Sequence, residues 1–582
     1  MSQLTALQAA KTIHDVAALL GFKASALAYV LYSKAAQPTY KKFQIPKRSG
    51  GTRQIAAPIS ELKLLQRRLA YILQNCLEEI RAKYGRDDAG PTPDQVTHGF
   101  VRRRSIVSNA RQHRHRRFVF NVDLENFFPS INFGRVRGLF IKDVHFALQP
   151  NVATLLAQIA CHEGSLPQGS PCSPVVSNLV GHILDVHLVR LAARCGCTYT
   201  RYADDLTFST NERGFPTRIA TPLPAAPHQW TVGDELAHLI SKSGFLINQQ
   251  KTRMQFRTSR QEVTGLVVNQ KVNIPADYRR RVRAMVHHLF TKGTFEVDEL
   301  VTVSGAGATW SKVVGDTSKL HGMLGFIDGV DVYNRRLTPR AKGTALDTKE
   351  LMYRRFLLYK DFYAADHPVL VCEGKTDTVY ITHAIRSLAA AFPLLADVDP
   401  QGKVTIRLRR YRYAGRSTGR ILGISGGHGD LKNLLLAYRD DLKRFKAPGM
   451  KTPVIVLIDN DSAATPTLKC IKHITGKTPS NADPFIHVVG NLYVVLTPLV
   501  GGVASSIEDF FDAATKAIPY KGKSFDPSND YSTSTHYGKS DFAYNVVEPN
   551  AQKISFAAFH PLLTYISAAI ADHHSKQIVT TP

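Results

Sequence analysis

Two sets of acidic residues in this chain of 582 residues have the types and spacing for metal-assisted chemistry at phosphorus. In the first, Asp123 closes the short apolar run Phe120-Asn-Val, and Asp204 and Asp205 follow Tyr202-Ala203 in a tight turn between the runs 198–202 and 206–209. Phosphoryl transfer with two cations needs carboxylates on rigid supports that hold the ions about 3.5–4 Å apart. A strand end and a hairpin turn are such supports, and three acids brought together repel one another unless cations lie between them, which implies Mg2+. An Asp-Asp pair alone is ordinarily a solvated turn. The weight comes from the further strand-end Asp about eighty residues earlier.

In the second set, Glu373 and Asp377 lie in Cys372-Glu-Gly-Lys-Thr-Asp377 after the apolar run 368–372, and Asp459 and Asp461 follow the run 453–458. Parallel strands collect ligands at their carboxyl ends, so both groups of acids converge on one sheet edge. One Glu and two strand-end Asp suffice to hold one or two Mg2+ against phosphate oxygens. Gly374-Lys375-Thr376 invites reading as the phosphate loop of an ATPase. That motif needs a glycine five positions before Gly374, and position 369 is Val, so an ATPase is disfavoured.

The elements that must carry these residues change character along the chain. Residues 1–35 read as helices, with a turn at Gln37-Pro38. Residues 47–53, from Lys47 to Arg53 with Gly50 and Gly51 between, read as a hairpin tip, and 59–80 as a helix. A short strand is expected at 119–122 and a hairpin around Asp204-Asp205, while 211–227, with four prolines, reads as an exposed loop. Residues 276–289 read as a basic helix bearing Arg279, Arg280, Arg281 and Arg283, and the polar stretch from Asp331 to Glu350 as a linker. Beyond it, the β-branched runs 368–372, 453–458 and 492–496 alternate with helical segments, the pattern of a parallel α/β sheet.

Composition bounds the function classes. The length implies two or three domains. The formal charge is +27, and residues 1–350 hold 47 Lys and Arg against 27 Asp and Glu, whereas the rest holds 27 against 20. The excess is clustered: 101–117 has seven Arg, two His and no acid. Such clustering is the footprint of a polyanionic partner in the first part. No membrane span is expected, and the N-terminus reads as an amphipathic helix instead of a signal peptide. Seven scattered cysteines without a C-x-x-C array argue against structural zinc and for reduced thiols in a cytoplasmic setting.

With these residues in order, the first part of the chain, about 20–320, resembles the reverse transcriptases. Ile45-Pro-Lys47 through Arg53 to Pro58 matches the fingers segment, which implies that Lys47 and Arg53 cradle the triphosphate of an incoming dNTP. Asn121-Val-Asp123-Leu-Glu-Asn-Phe-Phe128 matches the first palm motif, with Phe128 as the steric gate against a ribose 2′-OH. Leu166-Pro-Gln168-Gly-Ser-Pro171 matches the nucleotide-positioning loop, Tyr202-Ala-Asp-Asp205 the metal signature, and Gly244-Phe-x-x-Asn248 with Lys251 a palm motif whose Lys approaches phosphate. Asn109-Ala-Arg-Gln-His113 and Val263-Thr264-Gly265 are similar to the NAxxH and VTG elements of bacterial retron enzymes. Membership would imply a non-coding RNA partner, copied from an internal guanosine 2′-OH into single-stranded DNA that stays joined to RNA. Asn109, His113, Val263, Thr264, Gly265 and the arginines Arg279, Arg280, Arg281 and Arg283 are then the expected RNA-binding residues.

The second part, about 366–545, resembles a TOPRIM domain, as in topoisomerases, primases and related nucleases. Glu373 and Asp377 match its first motif and Asp459 and Asp461 its D-x-D. Glu508, after the third strand, is a further acid, and Lys539 in Gly538-Lys-Ser-Asp-Phe-Ala543 matches a phosphate-stabilising lysine. The remaining chain is too short for a topoisomerase gate. The expected architecture is a right-hand α+β polymerase (fingers 1–118, palm 119–272, thumb 273–330), a linker 331–365, a smaller α/β TOPRIM domain 366–545 with a parallel sheet, and a helical segment 546–582. The expected activities are RNA-directed DNA polymerisation with two Mg2+ and a nuclease acting on DNA or RNA, in anti-phage defence and with homo-oligomerisation open. Two alternatives stand beside this: an inactive TOPRIM-like module that binds the product, or a group II intron-type or diversity-generating enzyme with an unrelated tail.

Overall fold

The computed structural model describes residues 2–32, 39–47, 50–84, 93–224, 226–303, 307–337, 345–411, 416–424, 428–528 and 531–579. The chain divides into two compact units, Met1–Arg279 with Asp298–Lys312 and Val330–Pro339, and Arg280–Val297 with Val313–Gly329 and Arg340–Pro582.

In the first unit, β1 (Tyr40–Pro46) and β2 (Thr52–Pro58) form a hairpin whose tip turns through Gly50 and Gly51, both with positive φ. Helix α1 (Ser60–Tyr84) follows. Helix α2 (Ile106–Arg111) starts at Ser105, whose hydroxyl accepts from the Ser108 N–H while the Ser108 hydroxyl caps Ser105 in return. The centre is an antiparallel sheet of β3 (Phe118–Glu125), β4 (Thr198–Tyr202), β5 (Asp205–Thr210) and β6 (Leu246–Phe256), in the order β4-β5-β3-β6. Val119, Phe120, Val122 and Leu124 of β3, which has a neighbouring strand on each side, are all buried. Helix α3 (Ser173–Arg194) packs on β4. It is long and apolar enough to cross a membrane, but 67% of its apolar window is buried inside the protein, as in a core helix.

Two expectations for this unit are corrected. The proline-rich stretch 211–227 is a loop only in part: 220–223 and 226–232 pair as an antiparallel hairpin. A two-stranded ribbon has free edges, where Pro222 sacrifices no ladder hydrogen bond. Asp123 does not end its strand: β3 continues to Glu125, which pairs with Leu246 of β6.

The division between units runs through helix α4 (Ala276–Lys292), so the expected thumb, 273–330, does not group as a whole with the palm. The reason is aromatic packing: Phe290 lies 5.3 Å from Tyr359 and 5.0 Å from Phe445, ring centre to ring centre. Among its described residues the expected linker, 331–365, is largely helical. Helix α5 (Thr317–Leu337) covers its start and helix α6 (Thr348–Leu358), capped by Asp347, its end. Tyr353, Phe356 and Leu357 are buried at helical spacing there, a signal masked in the sequence by the polar residues between them.

The second unit is built on β7 (Val369–Cys372), β8 (Arg409–Arg410), β9 (Val454–Ile458), β10 (Ile486–Val489) and β11 (Leu492–Leu496), in the order β8-β7-β9-β11-β10. All neighbours are parallel except β10 on β11. Every residue of β7, β9 and β11 is buried. Helix α7 (Asp377–Ser387) leaves the end of β7. Helix α8 (His560–Val579) is no separate segment: Leu562, Leu563, Ile566, Ala569 and Ile570 enter the same core as the sheet.

Candidate functional site

The β4–β5 hairpin turns at Ala203-Asp204. Ala203 has φ +57°, an unusual conformation for a residue with a side chain, and the Leu124 N–H donates to the Asp204 carbonyl at 3.0 Å, tying the turn to β3. Asp123 stands opposite Asp205 in the β3–β5 register. The three carboxylates expected from the sequence therefore meet on adjacent strands. Burial raises the Asp204 carboxyl, with the Asp123 charge adding to it. Burial, then the Asp204 and Asp123 charges, push Asp205 up to about 7, although the residue is exposed.

Lys251 Nζ lies 3.0 and 2.9 Å from the two Asp123 oxygens, and Asn248 Nδ2 lies 3.1 Å from one of them. Lys251, expected to approach phosphate, here serves as counter-ion to Asp123. Among the described residues no three Asp, Glu, His or Cys side chains stand in the geometry of a metal site. Asp123 is turned to Lys251, and burial, with the charge of neighbouring acids adding to it, raises Asp204 and Asp205. Raised carboxylates short of positive charge are what a divalent cation relieves, so the donor set fits Mg2+ once Asp123 is released.

The loop Leu166–Pro171, expected to position the nucleotide, is locked to β2. The Ala56 N–H donates to the Gln168 carbonyl at 2.8 Å, and Gly169, φ +126°, lies so close that a Cβ would stand 2.5 Å from the Ala56 oxygen. Ser170 Oγ donates to Gln66 at 2.7 Å, and Gln66 donates on to Tyr40 at 2.7 Å. Arg53, exposed on β2, lowers the Asp204 carboxyl electrostatically against the burial that raises it, which places its charge within reach of the carboxylates. Lys47 is exposed at the end of β1, and Phe128 is half-buried beside Phe127 at 5.5 Å.

The residues expected to bind RNA behave differently from one another. His113 is buried, with Nδ1 2.7 Å from Ser209 Oγ and Nε2 2.7 Å from Thr200 Oγ1. Burial lowers it to about 3, so it is neutral. Asn109 is 1% exposed, and its amide finds no partner among the described residues. Val263 is buried, and Thr264 and Gly265 make a positive-φ turn in which the Thr264 hydroxyl donates to the Ile106 carbonyl of α2 at 3.3 Å. The expectation of direct RNA contact is thus corrected for Asn109, His113 and Val263: burial closes them off, and they lie among α2 and the strands behind the Ala203-Asp204 turn. Arg280, Arg281 and Arg283 are exposed on α4 and Arg279 is half-buried.

One element escaped sequence reasoning. Arg201 and Asp185 form a fully buried ion pair at 2.7 Å, joined by the Tyr199 hydroxyl at 2.8 Å. Arg201 also donates to Asn178 at 3.1 Å and to the Ala203 carbonyl at 3.3 Å. Gly181 makes room, since a Cβ there would stand 2.9 Å from the guanidinium. The available signal was a charged residue inside an otherwise uncharged strand.

A family model described as "Reverse transcriptase (RNA-dependent DNA polymerase)" matches residues 45–268. Retron Ec86 reverse transcriptase of Escherichia coli is 31% identical over 291 residues, which is 50% of this chain and 81% of that protein. The chain belongs to the retron reverse transcriptases. Retron Mx65 and Retron Mx162 reverse transcriptases of Myxococcus xanthus are 36% and 34% identical, covering 48% and 49% of this chain. The chain spans 62% and 59% of the length of those two relatives.

Each of these retron matches covers about half of this chain, and the second set of acids stands on the other unit. Glu373 follows β7, and its Oε2 accepts from the Asp459 N–H at 3.3 Å. Asp459, after β9, accepts from the Ile507 N–H at 3.0 Å. Asp377 accepts from the Gly374 N–H at 2.7 Å, so close that a Cβ on Gly374 would clash with the carboxylate. Lys539 Nζ pairs with Glu508 at 3.0 Å, while the other Glu508 oxygen is buried without a partner among the described residues. Asp461 is exposed, accepting from the Ala463 N–H at 2.9 Å. Parallel strands ending at one edge thus bring Glu373, Asp377, Asp459, Glu508 and Lys539 together.

Electrostatics tie them further. Burial, then the Asp377, Glu508 and Glu373 charges, push Asp459 up to about 8. Burial pushes Glu373 up to about 7, with Asp377 and Asp461 adding to it, and raises Asp377 and Glu508. Burial pulls Lys539 down, but the surrounding acids outweigh it and hold it charged. The buried, unpartnered Glu508 oxygen and the raised neighbours form a donor set that fits a divalent cation. Asn460, between the two acids of the D-x-D, was not foreseen: its N–H donates to Thr497 Oγ1 at 2.8 Å and its amide to the Thr497 carbonyl at 3.0 Å, fixing the loop.

Proposed function

We propose that the first unit is an RNA-directed DNA polymerase that copies part of a non-coding RNA into single-stranded DNA joined to that RNA, and that the second is a metal-dependent TOPRIM nuclease. The observation that carries the polymerase reading is Asp123 standing opposite Asp205, with Asp204 in the adjoining turn. Asp123, Asp204 and Asp205 would hold two Mg2+, which supply charge for the in-line displacement of pyrophosphate from a dNTP. Lys251, which pairs with Asp123, would be free to approach phosphate where cations neutralise that carboxylate. Arg53 and Lys47 draw the triphosphate, and Phe128 closes the pocket against a 2′-OH. Exposed Arg280, Arg281 and Arg283 suit an RNA backbone.

The nuclease reading rests on Glu373, Asp377, Asp459 and Glu508 meeting at one sheet edge. They would hold one or two Mg2+, with Lys539 neutralising a scissile phosphate of DNA or RNA. The setting is bacterial cytoplasm and the role anti-phage defence, with the RNA–DNA product restraining the nuclease.

The test is to extract and sequence nucleic acid co-purifying with the wild type and with Asp204→Ala/Asp205→Ala. Short RNA-linked DNA in the wild type alone supports the polymerase reading. RNA alone in both leaves a polymerase possible but removes the RNA-joined DNA product and the restraint of the nuclease built on it. For the second unit, Glu373→Ala should abolish cleavage of DNA and RNA probes by protein stripped of its product. Unchanged cleavage, or none in the wild type, would leave a product-binding module.

A further inference from the structure

Thr97 to Phe100 runs beside the catalytic hairpin and ends in a ring that the proposed reaction has not yet used. Thr97 bridges to Arg201 in parallel fashion, and the His98 N–H donates to the Arg201 carbonyl at 2.8 Å. The Gly99 carbonyl accepts from Asn178 Nδ2 at 2.7 Å. Gly99 is pressed so closely on the turn that a Cβ would stand 2.6 Å from the Ala203 nitrogen. Only glycine fits there, and the docking delivers the next residue, Phe100, in a left-handed conformation with φ +59°. A bulky side chain in that region is strained and persists only where its surroundings over-determine it.

Those surroundings lead to Phe128, the expected gate. The Phe100 ring is 40% exposed. Its centre lies 6.3 Å from that of Phe128 and 6.5 Å from that of Tyr202, within the range of favourable aromatic pairs. Phe128 is held on another side by Phe127, which stacks on Phe245 at 5.5 Å. Without Phe100 the half-buried gate ring would have support from the Phe127 side and freedom to swing on the other.

We propose that Phe100 is a positioning residue for sugar discrimination, bracing the Phe128 ring so that a nucleotide 2′-OH is excluded. This rests on the polymerase reading above. A steric filter works only if its wall cannot yield, and the strained, multiply anchored backbone at Gly99-Phe100 provides that stiffness.

The experiment uses the full chain with its co-purifying nucleic acid and compares kcat/KM for a deoxynucleoside and the matching ribonucleoside triphosphate. Phe100→Ala should lower the deoxy-to-ribo preference by about tenfold, since shape-based rejection of one hydroxyl is worth ~10²-fold at most. The change should appear as a lower KM for the ribonucleotide, with kcat for the deoxynucleotide nearly unchanged. Phe100→Tyr should restore the preference, and Phe100→Leu, which keeps apolar bulk for folding, should show an intermediate loss. Phe128→Ala gives the loss expected of the gate itself. If Phe128→Ala relaxes the preference while Phe100→Ala and Phe100→Leu lower both substrates equally, Phe100 is merely structural and the inference is overturned. A preference unmoved by Phe128→Ala overturns it too, by removing the gate. A wild type that incorporates no deoxynucleotide fails earlier and overturns the polymerase reading itself.

Discussion

The two carboxylate clusters solve one electrostatic problem with different supports. In the first unit the acids sit on an antiparallel sheet, and their turn is fastened by a fully buried ion pair, Arg201–Asp185. In the second they sit in loops after parallel strands, and the D-x-D is fastened by neutral hydrogen bonds from Asn460 to Thr497. Both leave carboxyls raised toward neutrality, and both keep one lysine on one acid. A buried charge is far costlier to orphan than a buried amide, so the first support is strong but brittle and the second more forgiving.

The largest effects should separate the two chemistries. Asp204→Asn/Asp205→Asn should cut DNA synthesis by at least ~10³-fold and leave strand cleavage intact, since several kcal/mol of charge stabilisation is lost at one site only. Glu373→Gln should do the reverse. Primer extension and nuclease assays on the same preparations check this, and joint loss in either variant would break the separation.

Next comes the difference in supports. Asp185→Ala should destabilise the first unit by ~3–5 kcal/mol by leaving the Arg201 charge buried, and Asn460→Ala the second by ~1–3 kcal/mol. Denaturant melts followed by hydrogen exchange in each unit give both numbers, and equal losses would end the contrast.

A smaller effect is pH-dependent. Asp459 at about 8 and Glu373 at about 7 lie above their ordinary values of 3.8 and 4.5. Folding favours their neutral forms, so their contribution to stability is complete below the ordinary values and is lost as pH rises through the raised ones, a window of about pH 4–8. Stability of Asp459→Asn should therefore fall less steeply across that window than that of the wild type. Mg2+ should raise the wild-type Tm more at pH 8 than at pH 6, because binding displaces protons. Parallel Tm profiles for the two proteins would contradict the shift. The smallest change is a control: Arg407 pairs with Asp397 with both side chains 52% exposed, and Arg407→Ala should leave the Tm indistinguishable from that of the wild type, because solvent screens such a pair.

Much of this was legible in the sequence where spacing and strand patterning agree. Asp123, Asp204 and Asp205 were readable because the acids interrupt apolar runs, and the parallel sheet because β7, β9 and β11 are apolar throughout. The supports were not. Asp185 reads as one acid in an apolar helix, and its partner is a strand residue sixteen positions on, so only the fold pairs them. Asn109 and His113 were matched as a motif, but a motif carries no information on exposure, and burial closes them to direct RNA contact. The helices α5 and α6 were hidden because polar residues outnumber the few that face the core.

The interleaving of the units has a consequence for how this gene can be edited. The chain passes between them at 279–280, 297–298, 312–313, 329–330 and 339–340. A scissor cut near residue 330, where the motifs alone would suggest a seam, strands two segments of the second body on the wrong fragment. Neither half is then a whole part that can be transplanted, and a split into two co-expressed polypeptides has to respect five crossings instead of one.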